Sequence, residues 1–171
     1  TPILLNFIKL MNEKYNDLTY VFHSTQTFKD LTQSFVKSKN LGNCEVISDD
    51  RIKYNNLKKS IFAIAKSGTV SLEICNAKIP SIILYKMGII NFLIIKMLVK
   101  TKFANIINIA AKEEIIPELL QSDCNANNIF ETVCDFIENP YKIKSQIDKT
   151  NIILKKLKTD KSSGELAAKS I

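Results

Sequence analysis

The stretch that most constrains this chain is Ile61-Phe-Ala-Ile-Ala-Lys-Ser-Gly-Thr-Val-Ser-Leu-Glu73. Ile61 to Ala65 is apolar and partly β-branched, as a buried strand requires. Ser67-Gly68-Thr69 follows at once, and Gly68 permits a backbone conformation that a Cβ hinders and a close ligand approach. Ser67 or Thr69 can cap the helix that begins there. The free N–H groups and positive dipole end of such a helix suit a phosphate. Glu73 falls on the same helix face as Thr69, one turn along. A turn and a carboxylate so placed can hold a nucleotide diphosphate together with its ribose hydroxyls. The same spacing also fits an ordinary strand–turn–helix junction with a capping hydroxyl.

Strand and helix patterns alternate on both sides of this stretch. Helices are predicted from Pro2 to about Lys14, from Thr25 or Thr27 to about Lys37 (Phe28, Leu31, Phe35 and Val36 at helical spacing), and from about Tyr54 to Lys59. After the helix that ends near Asn76, further helices are expected at Ile89–Val99, at Pro117–Gln121, from Asn125 or Asn127 to Glu138, and from Pro140 to about Leu157. Strands are predicted at Leu18–Phe22, Cys44–Ile47, Ile61–Ala65, Ser81–Leu84 and Asn105–Ile109. This alternation predicts an α/β fold, a parallel sheet with helices on both faces. Residues 1–157 form one domain, and the polar tail 158–171 is expected to be loose. In such sheets ligands lie outside the strands' carboxyl ends. The glycine turn, Asp49-Asp50, Tyr85-Lys86 and the Asn108 loop all fall there.

Composition narrows the partners. Hydrophobic residues make up 46% and charged residues 24%, the balance of a globular domain. The net charge of +7 comes almost wholly from lysine, with Arg51 the single arginine. No patch of arginine with interleaved aromatics is present, so nucleic acid is not the expected partner. An anionic substrate or an anionic membrane surface fits the charge as well. The Ile89–Val99 run, interrupted by Asn91 and Lys96, falls short of the roughly 20 residues that span a bilayer. It is expected to be a core helix, or else a lipid-facing patch flanked by Lys100 and Lys102. Cys44, Cys75, Cys124 and Cys134 form no C-x-x-C pair and are expected to be reduced thiols; His23 has no metal-ligand neighbour. No metal and no cofactor is expected. The chain opens Thr-Pro-Ile without an initiator methionine or a basic leader, which points to a fragment or processed piece in the cytoplasm.

Five blocks in order, Lys66-Ser-Gly-Thr-Val-Ser-Leu-Glu73, Pro80-Ser-Ile-Ile-Leu-Tyr-Lys86, Leu98-Val-Lys100, Ile107-Asn108 and Ile116-Pro-Glu-Leu-Leu-Gln121, resemble the carboxyl-terminal half of lipid-A-disaccharide synthase. That family is a glycosyltransferase with two Rossmann-like domains of GT-B type facing a cleft. It joins a UDP-linked diacylglucosamine to a diacylglucosamine 1-phosphate and releases UDP. The resemblance implies that this half binds the UDP-sugar, with diphosphate contact at Ser67, Gly68 and Thr69 and ribose contact at Glu73. It implies an active-site role for Asn108, and positions near the cleft for Lys86, Glu114 and Gln121.

The implied partners are the UDP-diacylglucosamine donor and, through an amino-terminal domain, the lipid acceptor. Peripheral contact with the inner membrane, a homodimer, or association with an amino-terminal half is also implied. Members usually carry a Gly-Ser-Arg loop before the helix that starts here at Thr1, and a general-base aspartate in the amino-terminal domain. This chain has neither, so it is expected to be inactive alone. It also has Lys112 where a glycine or asparagine is usual and Asp50-Arg51 in place of Asp-Gly. A non-catalytic remnant or binding module of the same fold is the alternative. A different nucleotide-sugar glycosyltransferase or epimerase would share Ser67–Glu73 but not the later blocks.

Overall fold

A computed structural model describes residues 2–66, 68–88 and 102–157. Its elements are α1 (Pro2–Lys14), β1 (Tyr20–His23), α2 (Lys29–Ser38), β2 (Cys44–Ile47), α3 (Asp50–Lys59), β3 (Ala63–Lys66) and α4 (Thr69–Asn76). They continue with β4 (Ser81–Tyr85), α5 (Ile106–Ala111), β5 (Glu118–Leu120), α6 (Ala126–Glu138) and α7 (Pro140–Leu157). The fold is α/β, as expected. All pairings are parallel, and the described strands form two sheets, β1-β2 and β3-β4-β5. The helix expected at Ile89–Val99 and the tail lie outside the described residues.

Side-chain alternation along the strands builds two apolar layers. Ile64, Ile82 and Leu84 face one way, against Phe7, Ile8 and Met11 of α1 and Ile129 and Val133 of α6. Ala63, Ala65 and Ile83 face the other, against Ile74 of α4, Ile107 of α5 and Ile153 and Leu154 of α7. Successive strand residues point to opposite faces, so apolar neighbours demand helices on both sides. Cys75 packs within the second layer, where burial pushes its thiol up to about 11. It is a neutral packing group at neutral pH. The four cysteines are free.

Two expectations need correction. The isoleucine-rich segment expected to be a strand at Asn105–Ile109 is helix α5. The Asn105 side chain caps it, Oδ1 accepting from the Ile107 N–H at 2.8 Å, and exposure follows the helical period, with Ile107 and Asn108 buried between exposed Ile106 and Ile109. The segment expected to be a short helix at Pro117–Gln121 is strand β5, which pairs with β4 in the register Ile83↔Glu118. Pro117 stands just before the strand, and its carbonyl accepts from the Ile83 N–H at 2.9 Å. Val36 of α2 is buried, while Leu31, and Phe28 just before the helix, are more than half exposed. Elsewhere boundaries shift: α3 starts at Asp50, capped by Asp49, whose carboxylate accepts from the Arg51 N–H at 2.7 Å.

One polar clamp joins the first helix to the sixth. Glu138 accepts from Lys14 Nζ at 2.5 Å and from the Tyr15 hydroxyl at 2.8 Å. The Lys14 hydrogen bond, then that of Tyr15, holds the Glu138 carboxyl below its ordinary 4.5. A carboxyl depressed in the folded state stabilises above its unfolded value and loses that contribution as pH falls through the folded one. The stability gap between the wild-type chain and Glu138→Gln, measured by thermal unfolding, is therefore expected to close as pH falls from about 6 to about 3. An undiminished gap at the acid end would show that the clamp's charge is irrelevant.

Candidate functional site

The turn after β3 is built by one residue. Gly68 has φ 138° and ψ −164° and stands as the N-cap of α4. This region of backbone space is essentially glycine-only and costs another residue on the order of 1–3 kcal/mol. A Cβ there would meet nothing within 4 Å, so the constraint is the backbone itself and not crowding. Among the described residues no side chain caps α4. The N–H groups of Thr69 and Val70 have no partner among the described residues. Thr69 is exposed at the first helical position. Ser67 lies outside the described residues.

Glu73, one turn further, is half-exposed and accepts from Lys53 Nζ of α3 at 2.6 Å. Lys53 is itself largely covered, its side chain 16% exposed, and stands 3.9 Å from Asp50 Oδ1. Asp50 in turn lies 3.4 Å from His23 Nε2, at the carboxyl end of β1. A line of polar side chains thus crosses the rim from β1 to α4. Beside it a groove of about 600 Å³ opens between α3 and α4, lined by Asp50, Lys53, Tyr54, Glu73, Asn76 and Lys78. That size suits a small organic ligand. Asp49, beside this line, is held below the ordinary carboxylate range mainly by the Arg51 backbone N–H it accepts.

Two more expected residues reach the same rim from β4 and β5. Lys86 is exposed just after β4. Gln121 follows β5 at φ 49°. Its backbone N–H donates to the Tyr85 carbonyl at 2.9 Å, and its side-chain Oε1 accepts from the Met87 N–H at 3.0 Å. Gln121 therefore shapes the loop that carries Lys86. Lys66 adds a cation 5.5 Å over the Tyr85 ring.

Asn108 and Glu114 are elsewhere. Asn108 is on α5, wholly buried. Its Oδ1 accepts from the Ile115 and Ile116 N–H groups at 2.9 Å each, and its Nδ2 donates to the Ile116 carbonyl and to Glu118 Oε1 at 2.7 Å each. All four hydrogen-bonding positions of the amide are filled by protein, so here the side chain presents nothing to a ligand. Glu114 is exposed ahead of β5, on the entry side of that strand, accepting from the Glu118 N–H at 3.3 Å. Its surroundings are a second hollow lined by Asp135, Tyr141, Lys142 and Lys149.

Sequence reasoning missed Lys53, whose partner Glu73 lies on another helix, and the hub at Glu118. The Glu118 carboxylate accepts from the Ala104 and Asn105 N–H groups at 2.6 and 3.0 Å as well as from Asn108. Lys112, one of the departures from the family pattern, ends α5 at φ 56°, ψ 25°, in the left-handed region.

Asn108→Ala is expected to lower stability by about 2–4 kcal/mol, because buried N–H groups of Ile115 and Ile116 lose their acceptor. Lys112→Gly is expected to raise it by about 1 kcal/mol by relieving the left-handed strain. Denaturant titration of the two variants checks both signs. A neutral Asn108→Ala would mean the loop is not held by that amide.

The model of the family described as lipid-A-disaccharide synthetase matches residues 1–171. A lipid-A-disaccharide synthase of Rickettsia prowazekii is 35% identical over 99% of this chain and 45% of its own length. One from Sulfurihydrogenibium is 31% identical over 91% of this chain and 42% of its own. The chain thus spans about half the length of the relatives it matches. Among solved structures, one assigned as a UDP-N-acetylglucosamine 2-epimerase of Listeria monocytogenes superposes with TM-score 0.58 at 13% identity, over 88% of this chain and 38% of that one, a likeness of fold.

Proposed function

The chain belongs to the lipid-A-disaccharide synthetase family, and we propose from that membership that it is the UDP-sugar-binding half of such a glycosyltransferase. The observation that carries the proposal is the open first turn of α4, with Gly68 in a glycine-only conformation and a half-exposed carboxylate one helical turn away. The diphosphate is placed on the N–H groups of Gly68, Thr69 and Val70, with Ser67 beside them, and the ribose hydroxyls on Glu73. Lys66 and Lys86 supply positive charge at the rim. Asn108 acts through the loop it builds, as a positioning residue. Donors and dipoles aimed at the diphosphate favour its departure by stabilising the charge that develops on it.

In the reaction so proposed, a base from an amino-terminal domain activates the acceptor 6-hydroxyl, which attacks the sugar carbon bearing UDP, with inversion. The donor is a UDP-diacylglucosamine and the acceptor a diacylglucosamine 1-phosphate. Among the described residues no helix is long and apolar enough to cross a membrane. Access to acylated substrates is proposed to come from peripheral contact at the inner membrane.

A second reading, a non-catalytic module of the same fold, is favoured by the Lys53–Glu73 pair, which already occupies one carboxylate oxygen of the ribose site, and by the full internal use of Asn108.

Calorimetric titration with UDP separates the two. Saturable binding is expected, weakened about tenfold or more by Glu73→Ala, the loss of a charge-assisted hydrogen bond. Gly68→Val is expected to weaken binding similarly by forcing the turn out of its conformation. No saturable heat at millimolar UDP would sink the donor-site proposal. Disaccharide formation is expected only when an amino-terminal half is added; binding without turnover in that mixture would favour the module.

A further inference from the structure

Among the described residues the Lys53–Glu73 pair differs from the other lysine–carboxylate pairs in its cover. The side chains of Lys14, Lys142 and Lys149 are 43, 45 and 48% exposed where they meet their carboxylates, and that of Lys53 is 16% exposed. Solvent screens an exposed pair until it contributes little. A covered ammonium keeps more of its attraction, because screening is weaker away from water.

The cover has a local cause. Lys53 stands four residues before Leu57 on α3, so the two share a helix face. Leu57 packs against the cluster that holds Ile74 and Cys75 of α4. Lys53 thus lies on the inward side of α3, with its ammonium 2.6 Å from Glu73 Oε2. Asp50 Oδ1, at 3.9 Å and on a side chain 87% exposed, is the weaker partner. On α4, Glu73 is half-exposed and lines the groove between the two helices, with Asn76 and Lys78. Its Oε1 has no hydrogen-bond partner among the described residues. An unanchored glutamate turns freely about its side-chain bonds, and ordering it on a ligand costs affinity.

We propose that Lys53 is a positioning residue for ligand recognition: its ammonium holds Glu73 Oε2 and so presents Oε1 as a fixed acceptor for the hydroxyls of a vicinal diol, the ribose edge of a nucleotide. This rests on the donor-site reading, which puts the ribose on Glu73, and adds to it the group that sets the carboxylate's geometry. Lys53 itself touches no ligand. An ionised carboxylate accepts at both oxygens, so a lysine on one and a hydroxyl on the other are compatible. Fixing the acceptor before the ligand arrives removes the ordering cost from binding. The ammonium also offsets the carboxylate's charge, which would otherwise repel a neighbouring diphosphate.

Calorimetric titration of the 171-residue chain with UDP, and with its analogue lacking both ribose hydroxyls, tests the assignment. Both ligands carry the same diphosphate. A lost charge or a loosened fold weakens them alike, and only the ratio of their affinities reports on the diol. The wild-type chain is expected to prefer UDP by about tenfold, as for a charge-assisted hydrogen bond, and Glu73→Ala to abolish the preference. Lys53→Met is expected to cut the preference to about twofold, and Lys53→Arg, which keeps the cation, to retain most of it. An undiminished ratio in Lys53→Met would overturn the proposal and leave the donor site standing. A larger ratio would overturn it as well, by showing that the lysine competes with the diol for the carboxylate. A wild-type chain that binds neither ligand or both equally, or a preference that survives Glu73→Ala, would remove the ribose site from Glu73, and the role of Lys53 with it.

Discussion

Ile82 and Ile83 are neighbours in sequence and neither retains any exposure. Only a sheet covered on both faces does this to adjacent residues, because successive side chains on a strand point opposite ways. The two helix layers, α1 and α6 on one face and α4, α5 and α7 on the other, follow from that requirement. So does the position of the site. With both faces occupied, the open ground near β4 is at the strand ends, where β3 gives way to α4 through Gly68.

The polar interior serves the same layering. Gln146 of α7 reaches into the sheet, with Oε1 accepting from the Ser81 N–H at 2.7 Å and Nε2 donating to the Ser81 carbonyl at 3.0 Å. It satisfies the first residue of β4 where no strand partner does. Asn108 and Glu118 do the equivalent for the turn into β5. Buried amides with every position filled fix a unique local path at a cost if any partner is lost. That accounts for an asparagine in the interior without assigning it to a ligand.

The β3–turn–α4 unit was legible because its signal is backbone chemistry: an apolar run, a glycine that no other residue replaces at φ 138°, and a helical spacing to Glu73. The α5–β5 region was not, because isoleucine carries both messages. Ile106, Ile107 and Ile109 read as strand by their branched Cβ, yet the Asn105 cap and the one-sided burial of Ile107 make a helix. Pro117 read as a helix start, yet it also serves as the last residue before a strand, where its missing N–H costs no ladder bond. Misplacing that strand placed Asn108 on the rim. The outward face of α2 was illegible for another reason: helical spacing says which residues share a side, and nothing about whether that side has anything to pack against. Lys53 escaped notice because its importance is a distance across two helices, 2.6 Å to Glu73, that no local pattern encodes.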